Sequence, residues 1–350
     1  MGKNSGQQGS RPISRRSLLK GIGAGALAAA APNIVIAAEK DPSMKSKVLG
    51  TGAHTYELVE NWGKLPESKK FGYTHGVQED SQGRIYIHNQ SPDSVAIFDP
   101  DGKFIKSWGP QYAAGAHGFQ LRKEDGVEYF YLAATSQHIV AKTTLDGEVV
   151  WTLNYPKEAG VYEAPEKFVP TNVAFGPNGD FYVADGYGQA YIHQYNKKAE
   201  YIRTWGGNGS EPGKMKCPHG IWLDTRGKEP LLVVADRANI RLQYFTLDGK
   251  HVSFVTDELR YPCHFDQRGT DLLIPDLHGR VTIFDKDNKL ITHLGDTPGV
   301  EKKEGYPNLP HEQRIPGQFI SPHAATWDHA GNIYVVEWVS DGRVTKLRRV

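Results

Sequence analysis

GKMKCPHGIWLD, residues 213–224, sets His219 between Pro218 and Gly220 where a polar loop gives way to an apolar strand ending in Asp224. Related phrases recur as YTHGVQED around His75, GAHGFQL around His117, PCHFDQ around His264 and SPHAATWD around His323. A sixth, VPTNVAFGPNGD, carries Thr171 and Asn172 at the same place. The strand heads fall near 75, 117, 171, 219, 264 and 323, separated by 42, 54, 48, 45 and 59 residues. After each head the chain repeats one plan: GIWLD, a polar turn, PLLVVAD, RLQYF, the tight turn LDGK, then HVSFVT. Alternating and β-branched runs bounded by Gly, Asn and Asp turns predict four antiparallel strands per copy, and helical periodicity is nearly absent. Six such copies at this period predict an all-β, six-bladed β-propeller.

The ends of the chain bear on closure. The last copy stops at RVTKLRRV after three strands, while TYELVENWG (55–63) resembles the fourth strands KFIKSWG and EYIRTWG. The N-terminal strand is therefore expected to complete the sixth blade and remove an exposed edge. The propeller is assigned to residues 55–350, with a linker over 39–54. Residues 296–318 form a longer, Pro-rich insert read as a surface loop. Ahead of all this, Arg15 and Arg16 precede a short weakly hydrophobic run, Leu18 to Ala31, and small residues near Ala37 and Ala38. That pattern predicts a twin-arginine export signal over 1–38 and a periplasmic or secreted protein. The run is too short for a span of about 20 residues, so no stable membrane span is expected once the signal is cleaved.

Residues 1–38 hold five basic and no acidic side chains, so their loss takes the formal charge from +1 to −4. A chain without basic excess is not a nucleic-acid binder. Two cysteines, Cys217 and Cys263, are too few for a disulfide scaffold, although an oxidising compartment permits one bridge between them. Nothing in the sequence signals self-association, and a monomer is expected.

In a propeller the first strand of each blade lines the central channel, so equivalent positions form a ring about one axis. His117, His219 and His323 come from copies two, four and six, 102 and 104 residues apart. That is three-fold placement. Three imidazoles converging at about 2.0–2.1 Å on one ion with an open position describe a catalytic zinc site. A lone strand histidine is usually a packed or hydrogen-bonded side chain, but five of six equivalent seats is a pattern of another kind. His75, the Thr171–Asn172 pair and His264 fill the remaining seats, lining the funnel or helping to bind a second ion. His138 and His278 are read as outer-shell candidates.

Two turns complete the set. In VADGYGQAYIHQY and VVADRANIRLQYF, Asp185 and Asp236 end second strands and are read as caps on turn amides, with Arg241 a repeat-wide strand position. Tyr187 and Arg237 follow them toward the channel mouth. A phenol beside a cation and a metal ionises below its usual pKa of about 10 and serves as a base.

These phrases resemble NHL repeats, and their order is similar to that of peptidyl-α-hydroxyglycine α-amidating lyase, a six-bladed zinc propeller. The likeness spans most of residues 55–350 and is strongest in VPTNVAFGPNGDFYVADGYG, GKMKCPHGIWLD with VVADRANIRLQYF, and GQFISPHAATWDHAGNIYV. It implies His117, His219 and His323 as ligands of one Zn2+ per chain, Tyr187 as the catalytic tyrosine of a D-G-Y phrase, and Arg237 as the arginine of an A-D-R phrase. Two departures accompany it. Asn89 stands where the family places a further active-site arginine, and Ala324 replaces an acidic calcium ligand, which weakens the expectation of Ca2+. The expected function is an exported zinc-dependent lyase acting on a small or peptide-terminal substrate that carries a hydroxyl or carbonyl. A zinc-dependent hydrolase would use the same residues, and a non-catalytic propeller that binds a protein or glycan is the rival of another class.

Overall fold

The computed structural model describes residues 47–350, so the export signal assigned to 1–38 lies outside the described residues. Six antiparallel sheets follow one another along the chain. Their first strands are Thr74–Glu79, Ala116–Glu124, Asn172–Phe175, Pro218–Asp224, Asp266–Arg268 and Pro322–Trp327. These first strands face one another around the axis, with Pro322–Trp327 meeting Thr74–Glu79 to close the ring. Among the described residues no helix is long and apolar enough to cross a membrane.

Burial explains the strand sequences. Second and third strands such as Ile85–Asn89 and Val95–Phe98 are buried along their whole length because a neighbouring blade covers each face. They read as continuous apolar runs. Fourth strands such as Phe104–Trp108 reach the rim and are only partly buried or exposed. Each blade boundary therefore encloses its own apolar cluster, for example Val77, Ile87 and Phe98 with Tyr334 and Val336.

Closure follows the expected route. His54–Val59 pairs with Arg343–Arg349, setting Tyr56 opposite Arg349 and Val59 opposite Lys346. Its Trp62 indole donates to Pro100 O in blade one at 3.0 Å, as Trp108 of blade one donates to Leu145 O in blade two at the same distance. The N-terminal strand thus makes the inter-blade contact proper to a fourth strand. One boundary differs: within the stretch assigned as linker (39–54), Val48–Thr51 forms a strand and hairpins on His54–Val59, giving the last blade five strands. Its Leu49 enters the core beside Leu294, and that burial holds a segment too short to read as a strand.

Residues 296–318 are packed rather than free. Val300 and Leu309 join Ile320 and Val339 in a small apolar cluster against Tyr306, whose hydroxyl donates to Leu277 O at 2.7 Å. The insert is thereby fixed to the face of blades five and six that carries the histidines.

Candidate metal centre

A repeated cap sets the height of the channel histidines. In five of the six blades, all but the one that carries His117, the last residue of the second strand or the one just after it accepts from a backbone N–H two or three residues ahead of the seat. Asp236 takes Lys216 N at 2.6 Å, Asp276 takes Tyr261 N at 2.7 Å, Glu337 takes Ile320 N at 2.6 Å and Asn89 takes Gly72 N at 3.1 Å. Asp185 does the same for Val169 N at 2.7 Å. The aspartates thus belong to the scaffold, and Arg241 with them, its Nε bonded to Asp236 at 2.6 Å. Asn89 is equally occupied, so the place of the family's further arginine holds a neutral cap.

The three histidines of alternate blades meet. Their ring centroids form a nearly equilateral triangle, 4.6 Å between His117 and His219, 4.8 Å between His219 and His323, and 4.9 Å between His117 and His323. Each Nδ1 donates to a carbonyl at the next seat around the ring: His117 to Thr171 O at 2.7 Å, His219 to Cys263 O at 2.9 Å, His323 to His75 O at 2.8 Å. A carbonyl only accepts, so Nδ1 carries the proton and Nε2 presents its lone pair inward. The H-G pairs of the sequence acquire a reason here. A Cβ on Gly118 would stand 2.4 Å from Thr171 O, and one on Gly220 would stand 2.4 Å from Cys263 O. At these two seats glycine leaves room for the orienting carbonyl, whereas at the third Ala324 follows His323 and the carbonyl of His75 still reaches its Nδ1 at 2.8 Å. Gly220→Ala is accordingly expected to weaken metal affinity about 10–100-fold, the usual cost of losing an outer-shell partner, with every imidazole still present; competition with a chromogenic chelator measures it.

Electrostatics keep these rings neutral. Burial holds His117 down at about 3, and burial with the neighbouring cationic and imidazole groups holds His219 and His323 well below the usual histidine range. A neutral imidazole is the form that binds metal.

Tyr187 and Arg237 close over this triangle. The Tyr187 hydroxyl lies 3.1 Å from His117 Nε2 and 3.0 Å from His219 Nε2. One phenolic proton cannot serve two lone pairs, so the donor set is short of positive charge at its centre, which a divalent cation would supply. The tyrosine ring is 43% exposed while its hydroxyl is turned inward. Burial pushes the phenol up to about 12 despite the Arg237 guanidinium; the expected lowering called for a metal beside it as well as the cation. Arg237 is buried between the rings of Tyr187 and Tyr261, 5.3 and 5.0 Å from their centroids, and donates to the Tyr187 hydroxyl at 3.4 Å. Burial disfavours its charge, but the facing Tyr187 and the two thiols leave its pKa raised. No carboxylate pairs with it among the described residues.

Around the triangle stand the other seats and outer-shell candidates, together with Tyr261 and Gln120, which no sequence motif had marked. His75 sits 4.4 Å from the His323 ring and 5.0 Å from the His117 ring. One donor atom each from His75, His117 and His323 lie within 4.8 Å of one another, as do those of His219, Cys263 and His323. Cys263 and Cys217 are both free thiols, so the permitted bridge is not formed, and Arg237 Nη1 lies 3.9 Å from Cys263 Sγ. Tyr261 stacks on His278, 4.7 Å apart and 4° from parallel, which places His278 behind the arginine. His138 instead donates to Phe168 O at 2.8 Å, and His264 meets the Gln120 side chain at 2.6 Å. Ala324, at the place of the family's calcium ligand, packs in an apolar cluster with Val77 and Val336.

Comparison with known proteins agrees with this architecture. No protein-family model matches the chain. NHL repeat-containing protein 3 of Homo sapiens is 28% identical over 239 residues, covering 64% of this chain and 67% of the human protein. The chain is a six-bladed β-propeller similar to NHL-repeat proteins. This propeller is also similar to peptidyl-alpha-hydroxyglycine alpha-amidating lyase 1 of Drosophila melanogaster, 32% identical over 196 residues. The match covers 53% of the propeller chain and only 33% of the fly protein. In fold, this propeller superposes on a gluconolactonase from Xanthomonas campestris with a TM-score of 0.61 at 12% identity, covering 86% of this chain and 94% of that one. A streptogramin B lyase gives 0.57 at 14% identity, covering 84% and 97%.

Proposed function

We propose that this propeller is an exported, zinc-dependent, lyase-like enzyme acting on a small or peptide-terminal substrate that carries a hydroxyl or carbonyl. The observation that carries the reading is the triangle of three neutral imidazoles, each pinned through Nδ1, with a tyrosine hydroxyl and an unpaired buried guanidinium above it. His117, His219 and His323 would hold a Zn2+ ion, which when bound would supply Lewis acidity for a substrate oxygen. Arg237 receives a substrate carboxylate or developing oxyanion, for which it has no competing partner. Tyr187 moves the proton: Arg237 pulls its pKa down against burial, and a cation beside His117 and His219 adds to that pull. Tyr187 and Tyr261 hold the guanidinium between their rings, with His278 stacked behind Tyr261. Breakdown of a carbinolamide to amide and aldehyde suits this set, and the likeness to the amidating lyases favours it over hydrolysis.

The test uses the full chain expressed with its leader and recovered from the periplasm, analysed for metal and assayed with an N-acyl-α-hydroxyglycine. About one zinc per chain is expected. Tyr187→Phe is expected to lower kcat by about 10²–10⁴-fold with the zinc retained. Metal-free protein of full thermal stability, with His219→Ala indistinguishable from wild type, would return the molecule to the class of binding propellers. Unchanged turnover by Tyr187→Phe would leave the ion a merely structural pin, and retention in the cytoplasm would end the export assignment.

A further inference from the structure

We propose that His75 is a fourth imidazole donor to the ion held by His117, His219 and His323, so that blades one, two, four and six all contribute. The inference rests on the metal reading above. The His75 ring stands 4.4 Å from that of His323 and 5.0 Å from that of His117, the same spacing that the three alternate-blade rings keep among themselves. It is buried, and one of its nitrogens falls within 4.8 Å of donor atoms of both neighbours.

Hydrogen bonding gives the ring no other occupation. His323 spends its Nδ1 proton on His75 O at 2.8 Å, so His323 Nε2 is a lone pair directed at the centre. His75 Nδ1 lies 3.2 Å from that same Nε2 and has no further partner, and its own Nε2 is buried with none. A histidine kept for packing or scaffolding normally satisfies both nitrogens. This one points its single contact at an atom of the centre. Two nitrogens bound to one ion at about 2.0–2.1 Å stand roughly 3.0–3.4 Å apart, the separation found here.

His264, in the seat of blade five, provides the contrast. Its Nε2 is engaged by Gln120 at 2.6 Å, and none of the three alternate-blade rings stacks on it. The ring of seats is therefore divided in use, four turned to the ion and one to the channel wall. Four imidazoles exceed the three-donor set of a catalytic zinc, and such a nitrogen-rich shell also suits Fe, Ni or Cu ions.

The experiment loads purified full-length protein with Co2+ as the probe. It counts imidazole scatterers by X-ray absorption and measures affinity by chelator competition in wild type, His75→Ala, His75→Asn and His264→Ala. One ion per chain is expected, with four imidazoles in wild type and three in the His75 variants, and an affinity at least 10-fold weaker in the latter. His264→Ala should match wild type. Three imidazoles in wild type with unchanged affinity in both His75 variants would overturn the proposal and leave the metal reading intact, as would two ions per chain. Should the His75 variants fail to fold, the wild-type count decides alone. A wild type that binds no cobalt and no zinc would overturn the metal reading itself.

Discussion

Replacing His219 with alanine is expected to strip the metal from the protein while leaving the propeller assembled. The ring nitrogens of His117 and His323 keep their carbonyl anchors on Thr171 and His75, so the loss is of one donor and not of the frame. Removing an outer-shell partner already costs about 10–100-fold in affinity, and removing a donor costs more. Elemental analysis after dialysis should fall from about one ion per chain to a small fraction of that. The folded state loses far less. It forfeits the hydrogen bond to Cys263 O and leaves a small cavity, an effect of roughly 1–3 kcal/mol in the metal-free protein. His117→Ala and His323→Ala should behave alike because all three occupy one triangle. Calorimetry with and without chelator completes the measurement, and an ion retained by all three variants at wild-type stoichiometry would remove the basis of the enzymatic reading.

Acid should unfold the metal-free protein over a narrow and predictable range. His88, His117 and His193 are held at about 3 and His264 at about 4, in each case first by burial. In the unfolded chain the same side chains titrate near 6.5. Between those values the unfolded state binds more protons than the folded one, so stability falls as pH falls, starting below about 6.5 and continuing toward 4. At pH 5 each of the four rings accounts for roughly 2 kcal/mol, and together they approach the whole net stability of an ordinary domain. Asp185 and Asp266 act with the opposite sign. Burial raises both to about 6, so each favours the folded state at low pH and loses that contribution as pH rises through 6; each offsets about 1 kcal/mol at pH 5, less than the four rings together. Urea midpoints at pH 7 and pH 5 measure the difference, and equal midpoints would mean that these rings are not buried as neutral groups. Zinc should move the loss of stability to lower pH, because protons then compete with a bound ion for His117, His219 and His323.

The wheel was legible in the chain because blades repeat their own chemistry. Strand alternation, D-G turns and the recurring W-G are local and survive inspection one copy at a time. So was the three-fold seating of His117, His219 and His323, since closing six copies into a ring turns a spacing of 102 and 104 residues into an angle. The aspartate caps followed from turn chemistry. Val48–Thr51 was hidden because four residues interrupted by Gly50 carry no alternation, and the strand exists only where Leu49 finds a core to enter. Tyr187 and Arg237 could be placed at the mouth from their turns, yet the burial of the phenol that opposes the guanidinium could not, because it arises only once neighbouring blades cover the hydroxyl.

Sequence alone therefore determined the number of blades, how the ring closes, and which residue type occupies each seat, all of which are written in contacts a few residues long. Tertiary structure decided which seats face one another. It drew Thr171 O and Cys263 O onto His117 and His219 across glycines that leave room for them, turned His75 toward His323, and set His264 against Gln120. Such choices depend on distances between atoms 44 to 248 residues apart, and those distances come into being only when the last blade meets the first.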